Sequence, residues 1–221
     1  MEGQNIVIEW RFAEGKNERL ADLAGELIRL KVDVIFAINT PATLAAGNAT
    51  RTVPIVFTGV GASPTAARLV GSLARPGGNI TGVTTVSGEM GGKRLELMKE
   101  GLPTVKRVAV LWHAPNPGAA AILKDLELAA VRLGLQILNV GVPGPNEIRS
   151  AFQAATRERA GALVLIDDML ISSHRGRILE FAGKSRLPVI SIYSDFAEAG
   201  GLLAYGPKAS ATYLASRVPH R

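Results

Sequence analysis

The chain contains no cysteine, so disulfides, thiolate nucleophiles and cysteine-ligated metals are excluded at the outset. Aromatic residues make up only 5% of it, and the plentiful alanine and glycine suit close packing of helices on sheets. No apolar run approaches the ~20 residues of a membrane-spanning helix. The opening residues, Met1-Glu2-Gly3-Gln4-Asn5, lack a basic stretch followed by an apolar core, so no secretory signal is present as written. The three histidines, His113, His174 and His220, stand far apart without i,i+4 spacing, and no metal site is expected. Neither a GxSxG elbow nor a GxxxxGK(S/T) phosphate loop occurs, so no catalytic residue and no cofactor is assigned.

What is present is ordinary for a globular chain: 47% hydrophobic and 20% charged residues, far from the composition of disorder. The 221 residues allow one large or two small domains. The net charge of +6 raises the question of nucleic acid. Yet the basic residues come singly or in pairs, as in Lys93-Arg94, Lys106-Arg107, Arg157 with Arg159, and Arg175 with Arg177. No aromatic is interleaved with them. They read as a solvated basic surface, and no nucleic-acid partner is expected.

One pattern occurs twice. The apolar stretch 32–38 leads through a small polar loop and a helical stretch to Arg51-Thr52-Val53-Pro54-Ile55-Val56-Phe57. Later, the stretch 161–166 leads through a polar loop and a helix to Ser185-Arg186-Leu187-Pro188-Val189-Ile190. Around these copies, strands are expected at 5–11, 79–86, 107–112 and 135–141. Helices are expected at 17–31, 88–100 with Ser87 ahead of it, 117–133, 145–158 and 173–185. Strands alternating with helices imply parallel sheets covered on both faces. The pattern divides into a first lobe, 1–103, a second, 104–200, and a terminal segment, 201–221, with the joint at Gly101-Leu102-Pro103-Thr104.

Ligands of open parallel sheets bind beyond the carboxyl ends of the strands, so the loops after each strand are the candidates. In Asn39-Thr40-Pro41-Ala42-Thr43, Thr40 is expected to cap a helix with Pro41 at its first position. The amides of Ala42 and Thr43 would then point into the cleft, where they attract an anion. His113-Ala114-Pro115-Asn116-Pro117 offers a counterpart with Asn116 as cap. Capping alone explains either loop; two at matching positions bring a binding role level with it. Gly59-Val60-Gly61 is a glycine loop that lets a ligand approach the backbone, without the acid a dinucleotide fingerprint needs. Asp167, Asp168 and Asp195, with Tyr193 beside the last, follow later strands. Their carboxylates suit an ammonium group or, equally, a helix cap.

Several segments together resemble one family. They are residues 3–11, 39–43, the run Ser72-Leu73-Ala74-Arg75-Pro76-Gly77-Gly78-Asn79, Gly92-Lys93-Arg94-Leu95-Glu96-Leu97, and Gly200-Gly201-Leu202-Leu203-Ala204-Tyr205-Gly206-Pro207. The chain is similar in these to the substrate-binding proteins of ABC transporters that take up tryptophan or tyrosine. The resemblance implies a type 1 periplasmic-binding-protein fold of two Rossmann-like lobes with a ligand between them. It also implies an ABC permease as partner, a periplasmic or cell-envelope location, and no catalysis. With the start as written the chain would instead be cytoplasmic. By the same resemblance a strand and helix ahead of residue 3, and further elements past Arg221, are missing. The first lobe would then lack a strand between 5–11 and 32–38, exposing sheet edges through which copies could associate. Two other functions remain open: an α/β enzyme acting on a small anionic substrate, and a stand-alone ligand-sensing domain.

Overall fold

The computed structural model describes residues 5–207, apart from 61–63, 66, 68, 73, 85 and 86, and apart from the side chains of 87–89. Two all-parallel sheets organise it. The first is built of β1 (Ile35–Ile38), β2 (Ile55–Val60) and β3 (Ile80–Thr84) in the order β1-β2-β3. Its core joins Ile35, Ala37, Ile55, Phe57, Val60 and Ile80 to Ala46 of α2 (Thr40–Ala49). Helix α1 (Leu20–Arg29) lies against α2 and adds Leu27 and Ile28 to this core.

The second sheet has the order β5-β4-β6-β7-β8, with β4 (Arg107–His113), β5 (Gln136–Val142), β6 (Ala162–Leu165), β7 (Val189–Ser191) and β8 (Leu203–Ala204). Alternation along β4 sends Ala109 and Leu111 to one face and Val108 and Val110 to the other. The first face is covered by α5 (Ile148–Arg157), α6 (Met169–Ser173) and α7 (Arg175–Ser185), through Phe152, Ile171 and Ile178. The second is covered by α3 (Ser87–Gly101) and α4 (Pro117–Arg132), through Leu95, Met98, Ile122 and Leu126. A short helix, α8 (Ser194–Glu198), follows β7. Burial on both faces is why β6 reads as an uninterrupted apolar run.

Several expectations are corrected. Residues 5–11 do not form a ladder strand: beyond an isolated bridge at Ile6 they carry no regular structure and are mostly exposed, with Val7 81% exposed and Trp10 stacked on Phe12. β-Branched composition favours a strand only where a partner offers hydrogen bonds, and β1 pairs with β2 alone among the described strands. The helix expected at 173–185 is split at His174, because Asp168 caps a separate turn ahead of it. The joint expected at 101–104 does not separate the two cores. Leu95 and Met98 of α3 are buried with Val108 and Val164, and Leu102 packs on the same cluster. The change of sheet therefore falls between β3 and α3. The terminal segment expected at 201 onward begins instead as an edge strand of the second sheet, where Leu203 and Ala204 pair with β7. Residues 208–221 lie outside the described residues, as does Gly61.

Candidate functional site

In the second sheet the strand order reverses between β4 and β6. Loops leaving adjacent strands there diverge to opposite faces, which opens a crevice at the carboxyl ends. The loop after β4 carries His113 and Asn116, and the loop after β6 carries Asp167 and Asp168. They are tied together. Asp168 Oδ2 lies 2.8 Å from His113 Nδ1 and accepts a hydrogen bond from Asn116 Nδ2 at 3.3 Å, while its Oδ1 accepts the Ile171 amide at the start of α6. Asn116 Oδ1 in turn accepts the amides of Gly118 and Ala119. Asn116 is thus the cap expected of it, and Asp168 caps α6 while anchoring a histidine.

The first sheet supplies the facing loop, with one residue of correction. The cap of α2 is Asn39, not Thr40: Asn39 adopts φ 76°, and its side chain accepts the Ala42 amide at 3.0 Å. Asparagine tolerates that left-handed backbone better than a β-branched residue does. Thr43 donates both its amide and its hydroxyl to Asn39 O. The amides of Ala42 and Thr43, expected to be free for an anion, are therefore occupied, and Pro41 has none to offer. Gly59 sits at φ 66° in the last turn of register of β2, close to the Asn39 amide, and Val60 is buried in the first core.

The two helix starts meet. A Cβ at Gly118 would lie 2.3 Å from Thr40 Oγ1 and 3.0 Å from Thr40 Cβ. Thr40 is 2% exposed, and its hydroxyl has no hydrogen-bond partner among the described residues. Asn17 Nδ2 also donates across to Pro115 O at 3.3 Å. The two sheets are held with the post-strand loops of one against those of the other.

A charged niche lies at the ends of β6 and β7. Asp167 Oδ2 accepts from Ser191 Oγ at 2.9 Å and from the Ile192 amide at 3.2 Å. Burial pushes the Asp167 carboxyl up to about 6, against the pull of these bonds and of Arg94. Arg94 comes from α3 and is fully buried; desolvation lowers its guanidinium from the usual value, opposed by Asp167 and Tyr193. Tyr193 accepts no cap bond but donates its amide to Ser191 Oγ. Asp195, in the first turn of α8, pairs with Arg175. Arg94, His113, Ser191 and Arg175 are the site residues that sequence reading passes over. His113 stood just past the strand expected at 107–112, in the loop 113–117, and closes that strand in the structure; nothing in the sequence marks Arg94 as buried.

Two parallel α/β units whose strand-end loops face each other define a class of protein that encloses small molecules between lobes. The chain belongs to the ABC transporter substrate binding protein family, whose sequence model matches residues 1–213. It is 27% identical over 205 residues to a tyrosine-binding protein of Clostridioides difficile, covering 93% of this chain and 58% of that protein. The chain thus spans somewhat more than half the length of this relative. A conserved domain protein of Vibrio cholerae superposes with a TM-score of 0.82 at 28% identity, over 91% of this chain and 67% of its own. A domain from Streptococcus pneumonia in complex with L-Trp gives 0.79 at 26%, over 89% and 67%. The fold is that of type 1 periplasmic binding proteins, seen also in a leucine-binding protein of Thermotoga maritima at 16% identity and a TM-score of 0.63.

Proposed function

We propose that this chain is the solute-binding component of an ABC uptake system, taking a small organic ligand that bears a carboxylate into the cleft between its two units. The observation that carries the reading is the apposition of Thr40 and Gly118, which brings the loops after β1 and β4 into contact across the units. Around it, Asn39, Asn116, Asp167, Asp168, Tyr193 and Asp195 supply polar groups at strand ends. Relatives complexed with L-Trp or named for tyrosine support a ligand of that size. The partner is an ABC permease and the place of action is the cell envelope. No helix among the described residues is long and apolar enough to cross a membrane.

Binding takes place without turnover. His113 is oriented by Asp168 as a catalytic base would be, but among the described residues its buried Nε2 meets no hydroxyl or other group that it could activate. Isothermal titration calorimetry against the protein amino acids and a set of aromatic acids tests the proposal. A saturable hit is expected, and Thr40→Ala is expected to weaken it by about 0.5–1.5 kcal/mol if one ordinary hydrogen bond is lost. Silence across the whole panel rejects the reading, and product formation restores the enzyme.

A further inference from the structure

Helices α5 and α7 leave a cavity of about 460 Å³ between them on the first face of the second sheet. Its floor is aromatic. The rings of Phe152 and Phe181 lie 5.7 Å apart between centroids at an angle of 51°, Phe152 within the core and Phe181 packed against it. Its rim is basic, with Arg149 and Arg157 from α5 and Lys184 from α7. Arg149, Gln153 and Arg157 recur at every fourth residue, so they mark one stripe of α5 over roughly 12 Å of its axis. Helix α5 ends at Arg157 just ahead of β6, and α7 ends at Ser185 just ahead of β7. That end of the groove therefore sits at the amino ends of the strands, opposite the loops of the candidate site.

The rim charges are only partly balanced. Lys184 pairs with Glu180 at 2.5 Å, and Arg157 reaches Glu158 at 3.9 Å. Arg149 has no ion pair among the described residues. All three cations are exposed, and a solvated basic surface would account for their charge. It would not account for a concavity within the about 300–1,000 Å³ typical of small-molecule sites, floored by two phenyl rings. Long basic side chains lay their stems along apolar surface and keep their heads in water. An occupant must match both layers. An inorganic anion would leave the rings uncovered, and a neutral chain would leave the cations without a counter-charge.

We propose that the groove between α5 and α7 is a second binding site, for a single-chain anionic amphiphile. Its acyl chain lies on Phe152 and Phe181, and its carboxylate or phosphate head sits among Arg149, Arg157 and Lys184. Such a molecule is met free in solution or as part of an anionic membrane surface. The site is separate from the cleft and stands whether or not the cleft takes a solute.

Calorimetry on the whole chain with decyl phosphate, below its micellar concentration, is expected to give one saturable site that weakens as salt is raised. Decyl maltoside keeps the chain without the charge, and inorganic phosphate keeps the head without the chain. Each is expected to bind at least about 10-fold more weakly. Arg149→Glu together with Arg157→Glu should weaken decyl phosphate by about 10-fold or more, through lost attraction and new repulsion. Lys124→Glu together with Arg132→Glu makes the same change of net charge on α4, across the sheet, and should leave the affinity unchanged. Gln153→Trp fills the groove at constant charge and should weaken binding as well. All five positions are exposed; should a variant still fail to fold by circular dichroism, the comparison of the three probes on the unaltered chain decides. Co-sedimentation with phosphatidylglycerol vesicles but not phosphatidylcholine vesicles assigns the amphiphile to a membrane, and decyl phosphate binding without vesicle capture assigns it to a free lipid. Four results overturn the proposal: no binding of decyl phosphate, equal binding of decyl maltoside or inorganic phosphate, equal losses in the two charge-reversed pairs, or a hexaglutamate peptide binding as tightly as decyl phosphate.

Discussion

Asp167 holds a carboxylate in a place where water would hold it better. Its carboxyl is raised from 3.8 to about 6 by burial, so the folded state binds a proton more tightly than the unfolded chain does. The stability from that proton is fully present below the unfolded value and is lost as pH rises through about 6. The penalty at neutral pH is about 3 kcal/mol at most. Chemical denaturation at pH 4.5 and pH 7.5 should therefore show the Asp167 contribution declining between the two, and Asp167→Asn should flatten that part of the profile. Asn39 makes the opposite kind of contribution. Its side chain satisfies one amide at the start of α2, and Asn39→Ala should cost about 1 kcal/mol in the same assay. Asn116→Ala should cost more, because that side chain serves two amides and also donates to Asp168.

At the scale of elements, the start of α2 meets the start of α4 closely enough that Gly118 has no room for a methyl group. Alanine is normally the better helix former by about 1 kcal/mol, but at Gly118 its methyl would overlap Thr40. Gly118→Ala should leave both units folded by circular dichroism while increasing the radius of gyration in solution scattering, with overpacking of about 1–3 kcal/mol set against the closed arrangement. Adding Thr40→Ala should partly restore the dimensions. Most of the alternation was readable, because strands such as Val108 to Leu111 and helices such as Pro117 to Arg132 carry their period in apolar side chains. The cap of α4 was readable for the same local reason. The cap of α2 was missed by one residue, since the positive φ of Asn39, whose amide donates to Thr58 O in the neighbouring strand, leaves no mark in the sequence spacing. The niche at Arg94 was missed because long-range packing buries that arginine, and sequence spacing does not register such contacts.

For the whole molecule, the first sheet leaves apolar side chains exposed at β1. Phe36 on β1 is 49% exposed, and Val34 just ahead of that strand is 51% exposed. Unpaired edges with apolar neighbours recruit further strands. We propose that copies of the chain associate through this side. Sedimentation velocity over a range of concentrations should show self-association, and Phe36→Lys should shift the distribution toward monomer. A single monomeric species at all concentrations would remove the idea.

Helix α3 lends the second sheet Leu95 and Met98, yet it precedes every strand of that sheet in the chain. During synthesis its apolar side emerges from the ribosome before any surface exists to receive it. Ile190, which completes the cluster, follows on the order of a hundred residues later, or roughly 5–20 s at ordinary elongation rates. For that interval the nascent chain carries a helix whose apolar side has no finished sheet to cover it.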